Sequence, residues 1–259
     1  MQQSAREPRG RRALVAEILI VLALSFGASA IYAIIAIIDR STRDEPISSQ
    51  TARLNPVLNQ RELFDLVYQV LGIAVDLVPV ALVVYLLWST ARPHLGRLGI
   101  DFSRPGRDTA SAVALVAIVG IPGLGVFFAG RALGLTVAID PGGTYEYWWT
   151  VPVLILSAAR AGITEEVIMV GYLFARLRDV GWGTWSIILS TAVLRGAYHL
   201  YQGVPGFVGN VAMGILFGWL YSKYGRVLPL VIAHTLIDVL VFVGYPWAFA
   251  TFPALFAAG

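Results

Sequence analysis

The sequence contains no cysteine and few charged residues. Of its 259 residues, 14% are charged and 57% are hydrophobic, and the mean hydropathy is +0.72. Without cysteine the chain has no disulfide framework, no thiolate nucleophile, no cysteine zinc site and no iron–sulfur cluster. The shortage of charge excludes an ordinary soluble domain, whose surface carries far more charged side chains. The composition therefore predicts an integral membrane protein.

The basic residues are also few and dispersed. The 19 Lys and Arg exceed the 16 Asp and Glu by three, and they lie between apolar runs without forming a stripe. Nucleic-acid binding requires a continuous basic surface, so no nucleic-acid partner is predicted. We interpret the positive charges as markers of membrane topology.

Long apolar runs predict seven transmembrane helices and a short eighth helix near Phe249. About 20 apolar residues are needed to span a bilayer. The runs cover residues 13–38, 64–88, 109–130, 147–174, 185–201, 207–221 and 227–244. The first run contains Glu17 and is too long for a signal peptide, so we interpret it as a retained helix. The predicted fold class is an all-α polytopic membrane helical bundle with seven or eight transmembrane helices.

The chain is predicted to form one membrane domain with two parts. Residues 1–108 supply N-terminal transmembrane helices and a cytoplasmic connector, and residues 109–259 supply the helical core. With a cytoplasmic N-terminus, twelve basic residues fall inside and five outside, which satisfies the positive-inside rule. We therefore expect a multi-pass protein of the cell (inner or plasma) membrane, with the lipid bilayer as a partner.

Ionisable side chains are costly inside a bilayer, so each one requires a partner or a function. Six of them lie in the fourth, fifth and seventh predicted spans: Glu165 and Glu166, Arg195 and His199, and His234 and Asp238. The helical rise places Glu165, His199 and Asp238 roughly 16 to 21 Å from the cytoplasmic ends of their helices. The Arg/His and His/Asp pairs are spaced i, i+4 and share one helical face. These side chains are predicted to meet in one cavity.

The two adjacent glutamates are predicted to have different surroundings. Glu165 and Glu166 differ by about 100° around a helix, so we expect one to face the cavity and the other to reach a neighbouring helix. Two adjacent carboxylates cannot both ionise cheaply at low dielectric. At least one should be paired with Arg or held protonated, a perturbation typical of general acid and base chemistry.

Three runs carry a resemblance to a known family: EEVIMVGYLF at 165–174, YHLYQG at 198–203 and GRVLPLVIAHTLID at 225–238. Their order and spacing resemble the CPBP family, which comprises the type II CAAX prenyl endopeptidases and the bacteriocin-processing or Abi proteins. The resemblance covers roughly residues 147–243. It identifies 109–259 as a CPBP-like catalytic core.

The resemblance implies an intramembrane endopeptidase that hydrolyses a peptide bond of a membrane-associated protein or peptide. It implies that Glu165 is the general base, that His199 helps it to activate water and that Glu166 is a supporting carboxylate. It also implies that His234 with Asp238 stabilises the oxyanion. Because family members are often described as metalloproteases, a divalent metal such as zinc is the alternative, with candidate ligands Glu165, His199, His234 and Asp238.

Two positions depart from the family motifs EExxxR, FxxxH and HxxxN or HxxxD. Val170 stands where the first motif has Arg, and Arg195 stands where the second has Phe. A buried, ionised Glu166 needs a cation nearby. Arg160 lies five and six residues before the glutamates, outside the i+3 and i+4 contacts of a helix face. We therefore predict that Arg195 supports the glutamates in place of the missing arginine.

Two other classes of function use the same residues. A non-proteolytic member of the family, acting as an immunity or scaffolding protein, would keep both the bundle and the polar cluster. A proton-coupled transporter would use Glu165 and Asp238 as a relay, but the sequence has no inverted repeat or helices broken in both halves. HExxH, GxGD and GxSG motifs are absent, which disfavours zincin-type, presenilin-type and rhomboid-type mechanisms.

Overall fold

The structure is a computed structural model that describes residues 10–87, 94–140 and 147–251. Its α-helices are α1 Arg11–Ala23, α2 Phe26–Ser41, α3 Glu62–Asp76, α4 Val78–Leu87, α5 His94–Arg97, α6 Pro105–Ala132, α7 Thr150–Glu165, α8 Leu173–Asp179, α9 Thr184–Tyr198, α10 Val204–Tyr224, α11 Leu228–Val239 and α12 Tyr245–Thr251. Two π-helical segments, Glu166–Tyr172 and Leu240–Gly244, join α7 to α8 and α11 to α12. Short 3-10 turns occupy Ile47–Ser49 and Leu200–Gln202.

The predicted all-α class is confirmed, with one small addition. Strands β1, Thr51–Arg53, and β2, Ala138–Asp140, form a parallel pair of three residues each. Alternating hydrophobicity cannot identify so short a pair. The two strands connect the loop after α2 to the loop after α6.

Several helices are suited to cross a membrane. In the described part of the chain, four are long and apolar enough: Glu62–Leu87, Pro105–Ala132, Val204–Tyr224 and Leu228–Ala248. The bent pair α1 and α2 would make a fifth span. The protein is therefore a multi-pass membrane protein. The predicted count of seven or eight is not confirmed, because α9 has only 15 residues and the segment from α7 to α8 carries Arg160, Glu165 and Glu166.

The first predicted span is not one helix. It is broken between α1 and α2, whose axes differ by 53°. At the break Ser25 has φ −136° and ψ −109°, and its hydroxyl donates to the Val21 carbonyl over 2.7 Å. A Cβ on Gly27 would lie 2.8 Å from the Leu22 carbonyl oxygen. The prediction of a continuous helix over 13–38 is therefore wrong, because an apolar run reports length and not bending.

The predicted eighth helix is not separate either. Phe249 lies in α12, which follows the π-helical segment Leu240–Gly244 without a break. Residues Leu228–Ala248 form one 21-residue span. The seventh predicted span is simply longer than its apolar run indicated.

The core of the bundle surrounds the π-helical segment after α7. Ile168, Met169, Tyr172 and Phe174 are each at most 1% exposed. Two helices that carry the motifs, α7 and α11, pack closely against each other. A Cβ on Gly162 of α7 would lie 2.6 Å from the Thr235 hydroxyl of α11. Only glycine permits this approach. Close packing therefore brings α7 and α11, two of the motif-bearing helices, together.

Arg226 fixes the turn that leads into α11. Its Nε donates to Asp108 Oδ1 over 2.9 Å, and its Nη2 lies 3.2 Å from Asp101 Oδ1. Hydrogen bonds from the Ser103 hydroxyl and amide, followed by the Arg226 guanidinium, lower the pKa of Asp101 to about 2. The amide of Val227 adds a bond to the Leu98 carbonyl. The connector before α6 is thereby attached to the start of α11.

Replacing Arg226 by Leu should destabilise the protein. The substitution leaves the Asp108 carboxylate, 4% exposed, without its cation, and removal of one partner of a buried pair costs about 3 kcal/mol or more. Thermal unfolding in detergent measures the loss.

The stability that Asp101 contributes should depend on pH. The contribution of Asp101 to the free energy of unfolding is complete at neutral pH and is lost as the pH falls from about 4 to about 2, because its folded pKa lies below the unfolded value of about 3.9.

The exposed Arg107 provides the matched control. Arg107→Leu should unfold at the wild-type temperature, and Arg226→Lys should give an intermediate loss because lysine keeps the charge without the bidentate geometry. Equal unfolding temperatures for Arg226→Leu and Arg107→Leu would contradict the anchoring role.

Candidate active site

A buried guanidinium joins the two adjacent glutamates. Arg195 of α9 is 1% exposed. Its Nη2 donates to Glu165 Oε2 over 3.1 Å and also contacts Glu166 Oε1. Its Nη1 donates to Glu166 Oε2 over 3.4 Å. One cation therefore faces two carboxylates. This arrangement is the one predicted from Val170 at the arginine position of the first motif and Arg195 at the phenylalanine position of the second.

The glutamates differ in burial more than in direction. Glu166 is fully buried and Glu165 is 8% exposed. Both reach Arg195 on the neighbouring helix α9, so the prediction that one faces the cavity and the other reaches a neighbouring helix is wrong in giving that contact to only one of them. The guanidinium fork spans the angle between two successive side chains, which a helical wheel does not take into account. Glu165 lies at the edge of the cluster and Glu166 at its centre.

His234 and Asp238 extend the cluster along α11. His234 Nδ1 lies 2.7 Å from Glu166 Oε1 and 3.0 Å from Arg195 Nη2. Because the guanidinium can only donate, Nδ1 cannot donate to Glu166 and accept from Arg195 at once. We assign the proton to Nδ1, since the carboxylate contact is the shorter. His234 Nε2 is 3.6 Å from Asp238 Oδ2, too long for a direct hydrogen bond.

His199 has a defined tautomer. Its Nδ1 lies 3.0 Å from the Arg195 backbone carbonyl, one turn earlier. A carbonyl only accepts, so Nδ1 carries the hydrogen and the Nε2 of the neutral ring is left as an acceptor. His199 therefore has a hydrogen-bond acceptor, Nε2, next to the cluster.

Tyr198 was not identified from the sequence, although it directly precedes His199. Its hydroxyl donates to Glu165 Oε2 over 2.7 Å, and its ring is stacked on Phe26 of α2. Its position on α9, three residues after Arg195, could have indicated that it shares the cluster face.

The π-helical segment after Glu165 was also not predicted. Irregular helical turns of this kind occur often at functional sites. At its far end, the Tyr172 hydroxyl donates to Glu17 of α1 over 3.0 Å, and Arg176 Nε donates to the same carboxylate over 2.7 Å. The intramembrane Glu17 is therefore a partner in packing, as its place outside the motifs indicates.

Arg160 lies away from the glutamates' ion pair. Its Nη1 is 3.2 Å from Asp76 Oδ2 at the end of α3. Arg160 and Asp76 are more exposed than the Arg195 cluster. Of the two arginines in the predicted spans, Arg195 contacts both glutamates, and Arg160 pairs with Asp76.

The cluster does not fit a metal ion. Within residues 10–87, 94–140 and 147–251 no group of three His, Asp or Glu side chains is arranged to hold one. Arg195 Nη2 lies within 3.1 Å of both Glu165 and His234, and His199 turns Nδ1 to the backbone. A guanidinium among the candidate ligands repels a second cation.

Comparison with known proteins gives one match. Residues 147–240 match the family described as "Rce1-like: Type II CAAX prenyl endopeptidase Rce1-like". Neither the curated proteins nor the solved structures contain a match to the chain. The matched segment includes all six residues of the cluster, and it confirms the resemblance found in the motifs.

Arg195→Leu should be strongly destabilising. It leaves two buried carboxylates without a cation, at a cost of about 3 to 5 kcal/mol. The double variant Arg195→Leu with Glu166→Leu should recover much of this loss, because replacing a whole buried pair by apolar side chains is often neutral. Unfolding in detergent, followed by circular dichroism, measures all variants.

Arg160→Leu is the matched control for this experiment. Its partner Asp76 is 55% exposed, so the substitution should cost less than about 1 kcal/mol. Equal losses for Arg195→Leu and Arg160→Leu, or no recovery in the double variant, would show that Arg195 is not the central cation.

Proposed function

We propose that the protein is an intramembrane endopeptidase, because residues 147–240 match the Rce1-like family of type II CAAX prenyl endopeptidases. Its substrate would be a membrane-associated protein or peptide. The observation that carries the proposal is the orientation of Glu165, whose Oε2 accepts bonds from both Tyr198 and Arg195. A carboxylate held in this way presents its second oxygen in a fixed direction.

Glu165 is the proposed general base. Among the described residues, both of its hydrogen-bond donors reach Oε2, so Oε1 is left to accept a proton from water. The side chain is also the less buried of the two glutamates. His199 supports this assignment because its Nε2 is an acceptor, and a water between Oε1 and Nε2 could donate to both.

The proposed reaction is a two-step hydrolysis. The water oxygen adds to the carbonyl carbon of the scissile peptide bond while its proton passes to Glu165. The C–N bond of the tetrahedral intermediate then breaks, and the same proton passes from Glu165 to the leaving amine. Glu165 returns to its ionised form, so no proton is gained or lost by the site.

His234 and Asp238 are the proposed oxyanion-stabilising group. His234 Nε2 lies 3.6 Å from Asp238 Oδ2, too far for a direct hydrogen bond, so Nε2 is left to face the developing oxyanion. A carboxylate does not donate when ionised. His234 is therefore the proposed donor to the oxyanion. Since its Nδ1 hydrogen faces Glu166, this role requires the protonated ring, in which Nε2 also carries a hydrogen, and the nearby Asp238 carboxylate favours that charged form. Glu166 holds the opposite edge of the His234 ring through a contact of its carboxylate with Nδ1.

The membrane arrangement belongs to the same proposal. A seven-span topology, with the segment from α7 to α8 and α9 also crossing, would put the N-terminus and most basic residues in the cytoplasm. The polar cluster would then lie within the bilayer of the cell membrane. Shielding by the apolar helices makes such a position tolerable for the charged segments.

A non-proteolytic role in scaffolding or immunity is the second candidate. One observation favours it: Arg195, Glu166 and His234 contact one another in a buried network, which would also fix helix positions in an inactive protein. Loss of cleavage in the Glu165→Gln variant distinguishes the endopeptidase from the non-proteolytic protein.

Glu165→Gln should abolish peptide cleavage while the protein stays folded. The amide has the shape of the carboxylate but cannot take a proton from water. Purified protein in lipid nanodiscs, incubated with a library of membrane-anchored peptides and analysed by mass spectrometry, measures cleavage.

Glu45→Gln, in the exposed loop after α2, is the matched control and should cleave like the wild type. Wild-type rates in Glu165→Gln would overturn the assignment of the base. Absence of any cleavage by the wild-type protein would favour the scaffolding role.

Activity should survive removal of divalent metals. The guanidinium among the candidate ligands leaves the glutamate mechanism as the proposed route. Cleavage is measured after exhaustive chelation, with elemental analysis of the same sample and with readdition of zinc as a control. Activity that is lost on chelation and restored by zinc would contradict the metal-free route.

A further inference from the structure

We propose that the broken N-terminal helix formed by α1 and α2, which lies outside the family-matched segment, completes the active site. Phe26 is a positioning residue that acts through Tyr198 on Glu165. This inference rests on the proposed function, because it concerns the orientation of the proposed base. It assigns a role to a part of the chain for which the family motifs provide none.

The hydroxyl of Tyr198 determines which oxygen of Glu165 is free. Tyr198 is 6% exposed, and its 2.7 Å bond falls on the same Oε2 that Arg195 contacts. Two donors on one oxygen fix the carboxylate plane. The position of the hydroxyl in turn depends on the tilt of the tyrosine ring, so whatever holds the ring also orients the base.

Phe26 holds that ring. The rings of Phe26 and Tyr198 are stacked with centroids 4.7 Å apart and planes 24° from parallel. This is the offset geometry that aromatic pairs prefer. The ring of His199 lies 4.7 Å from the same tyrosine. Tyr198 therefore connects α2 to Glu165 and His199, the two residues that are proposed to activate the water.

The break in the helix places Phe26 at this contact. Phe26 is the first residue of α2 and directly follows Ser25. The 53° bend turns α2 away from the α1 axis, and α2 packs against α9. The bend requires Gly27, because a Cβ there would meet the Leu22 carbonyl at 2.8 Å.

The other half of the broken helix, α1, is anchored to the segment that follows Glu165. Glu17 of α1 accepts bonds from Tyr172 and Arg176, and Tyr172 ends the π-helical segment that begins at Glu166. Both sides of the break therefore contact segments adjoining the site. This double attachment keeps Phe26 in register with Tyr198.

The test is cleavage by single variants in lipid nanodiscs, with kcat and KM determined separately on one cleaved peptide. Tyr198→Phe and Phe26→Leu should each lower kcat by about tenfold to a hundredfold, as a misplaced catalytic group does. KM should stay within about twofold, because substrate contacts are not removed. Phe26→Tyr keeps the stacked ring and should retain most of the wild-type kcat.

Two matched controls separate positioning from general damage. Tyr32→Phe removes a hydroxyl from the same helix, on a side chain that is 74% exposed, and should leave kcat unchanged. Gly27→Ala should lower kcat as Phe26→Leu does. Gly123→Ala, at a position where a Cβ meets nothing within 4 Å, should not.

A second measurement is independent of activity. Unfolding temperatures of Phe26→Leu, Tyr198→Leu and the double variant should be non-additive, because the second substitution finds the stack already lost. The pair Tyr32→Leu and Tyr198→Leu should be additive. Additive shifts for Phe26 and Tyr198 would overturn the contact itself.

The outcomes separate this inference from the proposed function. Wild-type kcat in Tyr198→Phe or in Phe26→Leu, together with an inactive Glu165→Gln, would overturn the positioning role alone. Wild-type activity in Glu165→Gln would overturn both the base and its positioning. A lowered kcat in Tyr198→Phe and Phe26→Leu, with Phe26→Tyr active, supports the inference.

Discussion

The site depends on a single buried cation between two buried carboxylates. Arg195 is enclosed by Glu165, Glu166 and His234, and its position requires α7, α9 and α11 to meet at one depth. A buried ion pair contributes little net stability, because desolvation offsets most of the attraction. Breaking it is costly, however, so any arrangement that separates these helices is strongly disfavoured. The cluster therefore acts mainly by selecting one packing of the bundle.

For the electrostatic energy, the place of the guanidinium in space matters more than the place of its arginine in the sequence. Val170 stands where the family motif has arginine, and it is 3% exposed within the apolar core. Arg195 supplies the cation from α9 instead. The distance from a guanidinium to a carboxylate determines the electrostatic energy, whichever helix carries the arginine. A motif can thus lose one residue and keep its charge balance if a neighbouring helix supplies the group.

The helices divide into an enclosed group and a lipid-facing group. In each of the spans Glu62–Leu87 and Pro105–Ala132, only 11% of the residues in the apolar 18-residue stretch are buried. Their side chains therefore mostly face outward. In contrast, α7 and the π-helical segment after it have many buried residues. Charged helices of this kind can lie in a membrane because their neighbours shield them. The count of spans differs from the predicted one because α9 has only 15 residues and the segment from α7 to α8 carries charged side chains.

The sequence by itself determined the all-α membrane class and the six residues of the cluster, since composition, the i, i+4 spacing and motif order are local properties of the chain. It also pointed to Arg195 as the cation, because a charge requirement was left unmet at Val170. Tertiary structure alone decided the break at Ser25, the π-helical segment from Glu166 to Tyr172 and the contact of Phe26 with Tyr198. These features depend on side chains distant in sequence. Their energies arise from packing between helices, which no periodicity within one helix encodes.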